Sequence, residues 1–236
     1  MRVWDVHPGY LSRQSLLGQH AEIHGVYSVI SNQKTGYSNH PETRRWKGHI
    51  SGLCVIHDLA VSEMKLRGFG HRSPLIAPRE SVKFPAFVDG PEEQFLRLKA
   101  KYVEDGQGAR IPLPRNGFEL WAHHKYQVMA RGYRCYKEIQ AQMKDRPEAS
   151  IQAQGELAAR LLEIFRQAPT QEAMRNVRDH IWGYFKNRVS DCQKTHYLEI
   201  RDETPMLVLA YLYELAKVYQ ERYLLEQTVF ADLVIE

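Results

Sequence analysis

Residues 15–30 read SLLGQHAEIHGVYSVI. Leu16, His20, Ile23, Tyr27 and Ile30 recur at the three- and four-residue steps of one helix face. An adjoining face carries Ser15, Gly18, Glu22, Gly25 and Val29. Working outward, the same spacing returns in Ile50, Leu53, His57, Ala60 and Met64. That stripe stops at Arg67-Gly68, with Gly68 placed as a left-handed cap. Residues 73–91 hold Pro74, Pro78, Pro85 and Pro91 and read as a loop, with Pro91 in the first turn of the next helix. A short helix around Phe95, Leu98 and Tyr102 follows. Gly106, Gly108, Pro112, Pro114 and Gly117 then break the pattern.

Beyond residue 117 the chain reads as helix upon helix. Phe118, Trp121, Met129, Tyr133, Tyr136 and Ile139 predict one. Leu157, Leu161, Ile164 and Phe165 predict a second, ending at Pro169. Thr170 is placed to cap a third that carries Met174, Val177, Ile181, Phe185 and Val189. Thr204-Pro205 reads as a cap and a first-turn proline, opening a helix through Val208, Leu212, Leu215 and Tyr219. Strand patterns are nearly absent. The expected architecture is all-α: two helical domains, 1–90 and 118–236, joined by a Pro/Gly-rich connector over 91–117.

Of the 236 residues, 43% are hydrophobic and 25% charged, the balance of a globular chain with a core, not of a disordered one. No apolar run approaches the ~20 residues of a membrane helix. No membrane partner and a cytoplasmic location are therefore expected. Cys54, Cys135 and Cys192 lie far apart without a CxxC pair, which argues against a zinc ribbon or disulfide framework. His123 and His124 are adjacent and would point about 100° apart on a helix. With His180 they complete no ligand spacing, so no metal and no other cofactor is expected. The net charge of +4 is unevenly spread. Residues 1–79 hold ten Lys and Arg against five Asp and Glu, with seven of the eleven histidines. Residues 110–146 hold eight against three, and 199–236 three against eight. Basic regions of this kind suit a phosphate backbone, and equally a solvated surface.

Two features bear on chemistry. Each glycine inside a helix costs about 1 kcal/mol relative to alanine. Bare backbone on either side of Glu22 would let a bulky ligand approach. Packing of helices at small residues is the other reading. The second feature is the start of the chain, Met1-Arg2. Methionine removal normally requires a small second residue, so Met1 is expected to be retained with a free α-amine. An α-amine has a pKa of about 7.7–8.0, against about 10.4 for lysine. Far more of it is neutral and nucleophilic near pH 7, and an adjacent Arg2 cation lowers it further.

The combination of Met1, Arg2 and Glu22 resembles the pyrimidine-dimer DNA glycosylase/AP lyase family, the endonuclease V family. Glu22-Ile23, Val26-Tyr27 and Glu63-Met64-Lys65-Leu66-Arg67-Gly68-Phe69 extend the likeness. So do Trp4, His7-Pro8, Tyr10-Leu11 and Gly36-Tyr37 with Asn39-His40-Pro41. It covers about residues 1–75. The resemblance implies a small all-α domain that uses its N-terminal amine as nucleophile and Glu22 as the catalytic carboxylate. Damaged duplex DNA is the implied partner. Arg2, His20, Arg44, Arg45, Lys47 and Arg67 are the candidate DNA contacts on this side.

Residues 118–236 resemble the YbgA-type domain of unknown function. The residues that carry this are His124-Lys125-Tyr126 with Met129-Ala130, Asn176-Val177, His180, Gly183-Tyr184-Phe185-Lys186, and Tyr223-Leu224 with Gln227. Such domains occur beside enzymes of modified or UV-damaged nucleic acid. Lys125, Arg131 and Lys186, interleaved with Tyr126, Tyr133, Tyr136, Trp182 and Tyr184, are its candidate nucleic-acid contacts. The expected function is thus a metal-independent repair glycosylase with AP lyase activity. A catalytically silent adaptor for damaged DNA or modified RNA is the alternative.

Overall fold

A computed structural model describes residues 2–78, 81–106, 108–145 and 151–234. The fold is all-α, with 66% of residues helical. Among the described residues there is no strand, only one isolated antiparallel bridge between Ser12 and Ala109. No helix among them is long and apolar enough to cross a membrane. The chain divides into two compact units, one reaching to Leu113 and one over Pro114–Leu233.

The first unit holds α1 (Arg13–Ser31), α2 (Pro41–Trp46), α3 (Ile50–Leu66) and α4 (Pro91–Asp105). The Ser12 hydroxyl caps α1 by accepting from Ser15 N at 3.2 Å. α1 packs on α3 through Leu16, Gln19, Ile23 and Val26, which are buried. Of the predicted stripe, His20, Tyr27 and Ile30 are only half-buried. α3 ends where Gly68 takes φ +79°, a left-handed conformation that costs glycine nothing.

Residues 5–12 are buried against these helices. Gln94 of α4 accepts from Asp5 N at 2.8 Å and donates to Asp5 Oδ2 at 3.1 Å. Tyr102 donates to Tyr10 O at 2.8 Å and accepts from Ser12 N at 2.7 Å. Phe95 and Leu98 are buried as well. The span 91–117, expected as a connector, therefore contains a helix that is part of the first unit's core. Its apolar positions needed a surface to cover, and the N-terminal segment supplies it.

Glu63 is fully buried at the centre of this unit. It accepts from Arg67 Nε at 2.7 Å and from Arg110 Nε and Nη2 at 2.8 and 2.7 Å. Burial alone would raise its pKa, but the two guanidiniums outweigh that and hold it below the ordinary glutamate value. Gly52 on α3 is a close-approach position. An ideal Cβ there would lie 2.2 Å from the Lys83 carbonyl oxygen, so only glycine lets the Pro-rich segment cross α3.

The second unit holds α5 (Gly117–Met129), α6 (Tyr133–Asp145), α7 (Ile151–Phe165), α8 (Gln171–Phe185), α9 (Asp191–Ile200), α10 (Pro205–Val218) and α11 (Arg222–Leu225). A 3-10 turn over Thr228–Val234 follows. The helix expected from Phe118 to Ile139 is two helices, broken at Ala130-Arg131-Gly132. The break lets Ala130 O accept from Thr170 N at 3.1 Å and turns Arg131 inward onto buried Asp232. Phe118 is 55% exposed and does not line the core. Leu120, Ile139, Phe165, Val177, Phe185, Val208, Leu212 and Phe230 do. Thr170 and Thr204 cap α8 and α10 through their side chains.

Candidate active site

α1 presents Glu22 on a half-buried position between Gly18, which is exposed, and Gly25, which is half-buried. An ideal Cβ built at either glycine meets no heavy atom of the described residues within 4 Å. Among the described residues, no neighbouring helix packs against either glycine. The glycines leave bare, open backbone one turn before and one turn after a carboxylate. Ser15, assigned to the same face, is buried.

The start of the chain is anchored beside this face. Gln19 Oε1 accepts from Trp4 N at 3.0 Å, and Gln19 and Glu22 are three residues apart, neighbours along α1. Arg2 lies over the Trp4 ring at 4.3 Å and pairs with Asp89 at 2.5 Å. Met1, the expected nucleophile, lies outside the described residues.

The expected phosphate contacts divide into two groups. Arg45 pairs with Asp5 at 2.5 Å and Glu42 at 2.8 Å and donates to Ala86 O, with its side chain only 6% exposed. Arg67 pairs with Glu63 and donates to the carbonyls of Leu11, Pro8 and Gly9. Arg131 pairs with Asp232 and donates to the carbonyls of Gln127, Phe165 and Gln167. These three guanidiniums face inward and hold backbone and buried carboxylates. Arg44, Lys47 and Lys186 are exposed.

His20 belongs to a different constellation, which sequence reasoning missed. His20 and His24 of α1, His57 of α3 and His71 beyond it bring one ring nitrogen each within 4.8 Å of one another. His20 Nε2 and His24 Nε2 are 3.3 Å apart. Burial, with the neighbouring His24, His57 and His71, lowers the His20 pKa to about 4. The expectation of no metal rests on His123, His124 and His180 and does not consider these four residues. The signal in the sequence was the i, i+4 pair His20 and His24, which a helix places on one face.

The first unit can now be set beside known proteins. Residues 1–77 match the family model of the pyrimidine dimer DNA glycosylases. Glu22, Gly18, Gly25 and all four histidines fall inside that region. Residues 125–232 match the model of a family of unknown function, DUF1722. No curated protein and no solved structure matches the chain.

Within the DUF1722 region, Lys125, Tyr126, Tyr184 and Tyr223, four of the residues that carried the sequence likeness, converge. Lys125 Nζ lies 4.8 Å from the centres of the Tyr126 and Tyr223 rings, and Tyr223 stacks on Tyr184. Burial lowers the Lys125 pKa and raises those of Tyr126, Tyr184 and Tyr223. Gln227 Nε2 donates to Ala122 O and Tyr223 O, tying the end of the chain to α5. The interleaved aromatics are largely spent on one another. Trp182 stacks on Tyr197 at 3.7 Å, and Tyr136 packs between Trp121 and Tyr133. Tyr133 and Tyr184 keep exposed edges.

Proposed function

We propose that the glycosylase-family region excises damaged bases from duplex DNA and cleaves the resulting abasic strand. Pyrimidine dimers and abasic sites are its substrates, and the Met1 α-amine and Glu22 are its catalytic groups. The observation that carries this reading is Glu22 set between two open glycines on a helix within the region that matches the family. The anchor from Trp4 N to Gln19 adds to it.

The chemistry needs no group beyond these. The amine lone pair attacks C1′ as the glycosidic bond breaks, and the base leaves with a proton. Opening of the sugar ring, with O4′ taking a proton from solvent, gives an iminium between the amine nitrogen and C1′ and a free 4′-hydroxyl. Glu22 first stabilises the positive charge developing at C1′ and then accepts a C2′ proton. The released electron pair ejects the 3′-phosphate, and water hydrolyses the iminium to free the amine. Reaching C1′ requires distorting the duplex, and a lesion that already weakens stacking lowers that cost.

Incubation of the full chain, with Met1 as its first residue, on UV-irradiated and abasic duplexes tests the reading. Strand nicking without added metal is the expected result. Salt-sensitive binding with intact strands would replace it with the adaptor reading.

A further inference from the structure

We propose that His20, His24, His57 and His71 form a structural binding site for one divalent first-row transition-metal ion of the zinc class. The four rings come from three places in the chain: two from α1, one from α3 and one from the segment after α3. Surface histidines have no reason to crowd in this way. Their ring centres are 4.6 to 5.2 Å apart, and four imidazoles that each gain charge repel one another.

The details of hydrogen bonding point to a shared ligand. His57 is buried, and its Nδ1 lies 2.9 Å from the Asp58 carboxylate. That contact fixes the proton on Nδ1 and leaves a lone pair on Nε2. The His57 Nε2 is buried and has no hydrogen-bond partner, and the same holds for His71 Nε2. A carboxylate behind a histidine whose other nitrogen is unsatisfied is the arrangement that orients metal-binding imidazoles.

Geometry and donor type narrow the ion. Four nitrogens bound tetrahedrally at about 2.05 Å lie about 3.3 Å apart. The His20–His24 pair already has that separation, at 3.3 Å. The donor set is all imidazole, which suits zinc and its neighbours and not magnesium or calcium. Four protein ligands close the coordination shell, which is the mark of a structural site. Glu22 lies two residues from both His20 and His24, so it points about 160° away from them around α1. The ion would therefore hold the back of α1 to α3 and to the segment after it, and take no part in the chemistry at Glu22. The inference is independent of the glycosylase reading.

The test uses the tag-free full chain, stripped with a chelator and titrated with Zn(II) and with Co(II). One equivalent should bind, Co(II) should give the intense visible bands of tetrahedral coordination, and Zn(II) should raise Tm. His24→Gln, at a half-buried position, should abolish stoichiometric binding and the Tm shift. Asp58→Asn keeps all four ligands and should weaken affinity about 10- to 100-fold. The proposal is overturned if less than one equivalent binds. It is equally overturned if His24→Gln binds as the parent does, or if Co(II) shows only weak octahedral bands.

Discussion

Glu63 shows how much a single side chain holds in place. Its carboxylate neutralises Arg67 and Arg110, and Arg67 in turn ties down the carbonyls of residues 8, 9 and 11. Glu63→Gln leaves two largely buried guanidiniums without their charge partner and should lower stability by about 3–5 kcal/mol in urea denaturation. The same residue sets a pH dependence. Its native pKa is depressed, so the unfolded chain binds the extra proton more readily. Its contribution is complete above the ordinary glutamate range and is lost as pH falls through the lowered native value. Stability measured against pH should therefore show an acid limb that is flatter in Glu63→Gln. Glu22 is half-buried, with Gly18 and Gly25 one turn to either side of it on α1. Glu22→Gln should reduce strand cleavage by about 10²-fold or more, the usual contribution of a positioned general base.

At the level of elements, α1 combines two roles on two sides. One side buries Leu16, Ile23 and Val26, and the other exposes backbone at Gly18 and Gly25 around Glu22. Since open space surrounds both glycines, Gly18→Ala and Gly25→Ala should each stabilise the protein by up to about 1 kcal/mol in thermal unfolding. Gly25→Leu should fold and yet cleave DNA more slowly, because the added side chain occupies the approach to Glu22. The helical period of α1, the cap at Gly68 and the Thr-capped starts of α8 and α10 were legible because each rests on residues within a turn or two. The break between α5 and α6 was not read, although Gly132 lies in it; the Arg131–Asp232 pair found there joins residues about a hundred apart in sequence. α9 was missed because Tyr197 is its one buried residue, although Ser190 and Gln193 form a capping box. Arg45 and Arg67 looked like surface cations because their partners, Asp5 and the carbonyls of residues 8–11, are distant in sequence. The histidine cluster was half legible. His20 and His24 declare themselves by spacing, whereas His57 and His71 arrive only through packing.

For the whole molecule, the modest net charge conceals where cations are available. Arg45 and Arg67 of the basic N-terminal region are internal, so the number of phosphates it can neutralise is smaller than the composition suggests. Arg44 and Lys47 are exposed at and just after the end of α2, which packs on α1. Arg44→Ala with Lys47→Ala should reduce the slope of log affinity against log salt by about 2, weakening binding across sequences alike. Arg45→Ala should instead act through unfolding. The second unit adds an exposed Lys186, while its Lys125 is enclosed by tyrosines.

The central claim is that the chain's own amine attacks DNA. Borohydride reduction of the full chain, beginning at Met1, on UV-irradiated or abasic duplex captures the covalent intermediate, and mass spectrometry of its peptides locates it. The account predicts a single adduct at the Met1 α-amine, lost when any residue precedes Met1. An adduct on a lysine side chain, or none under conditions that trap a known lyase, would contradict it.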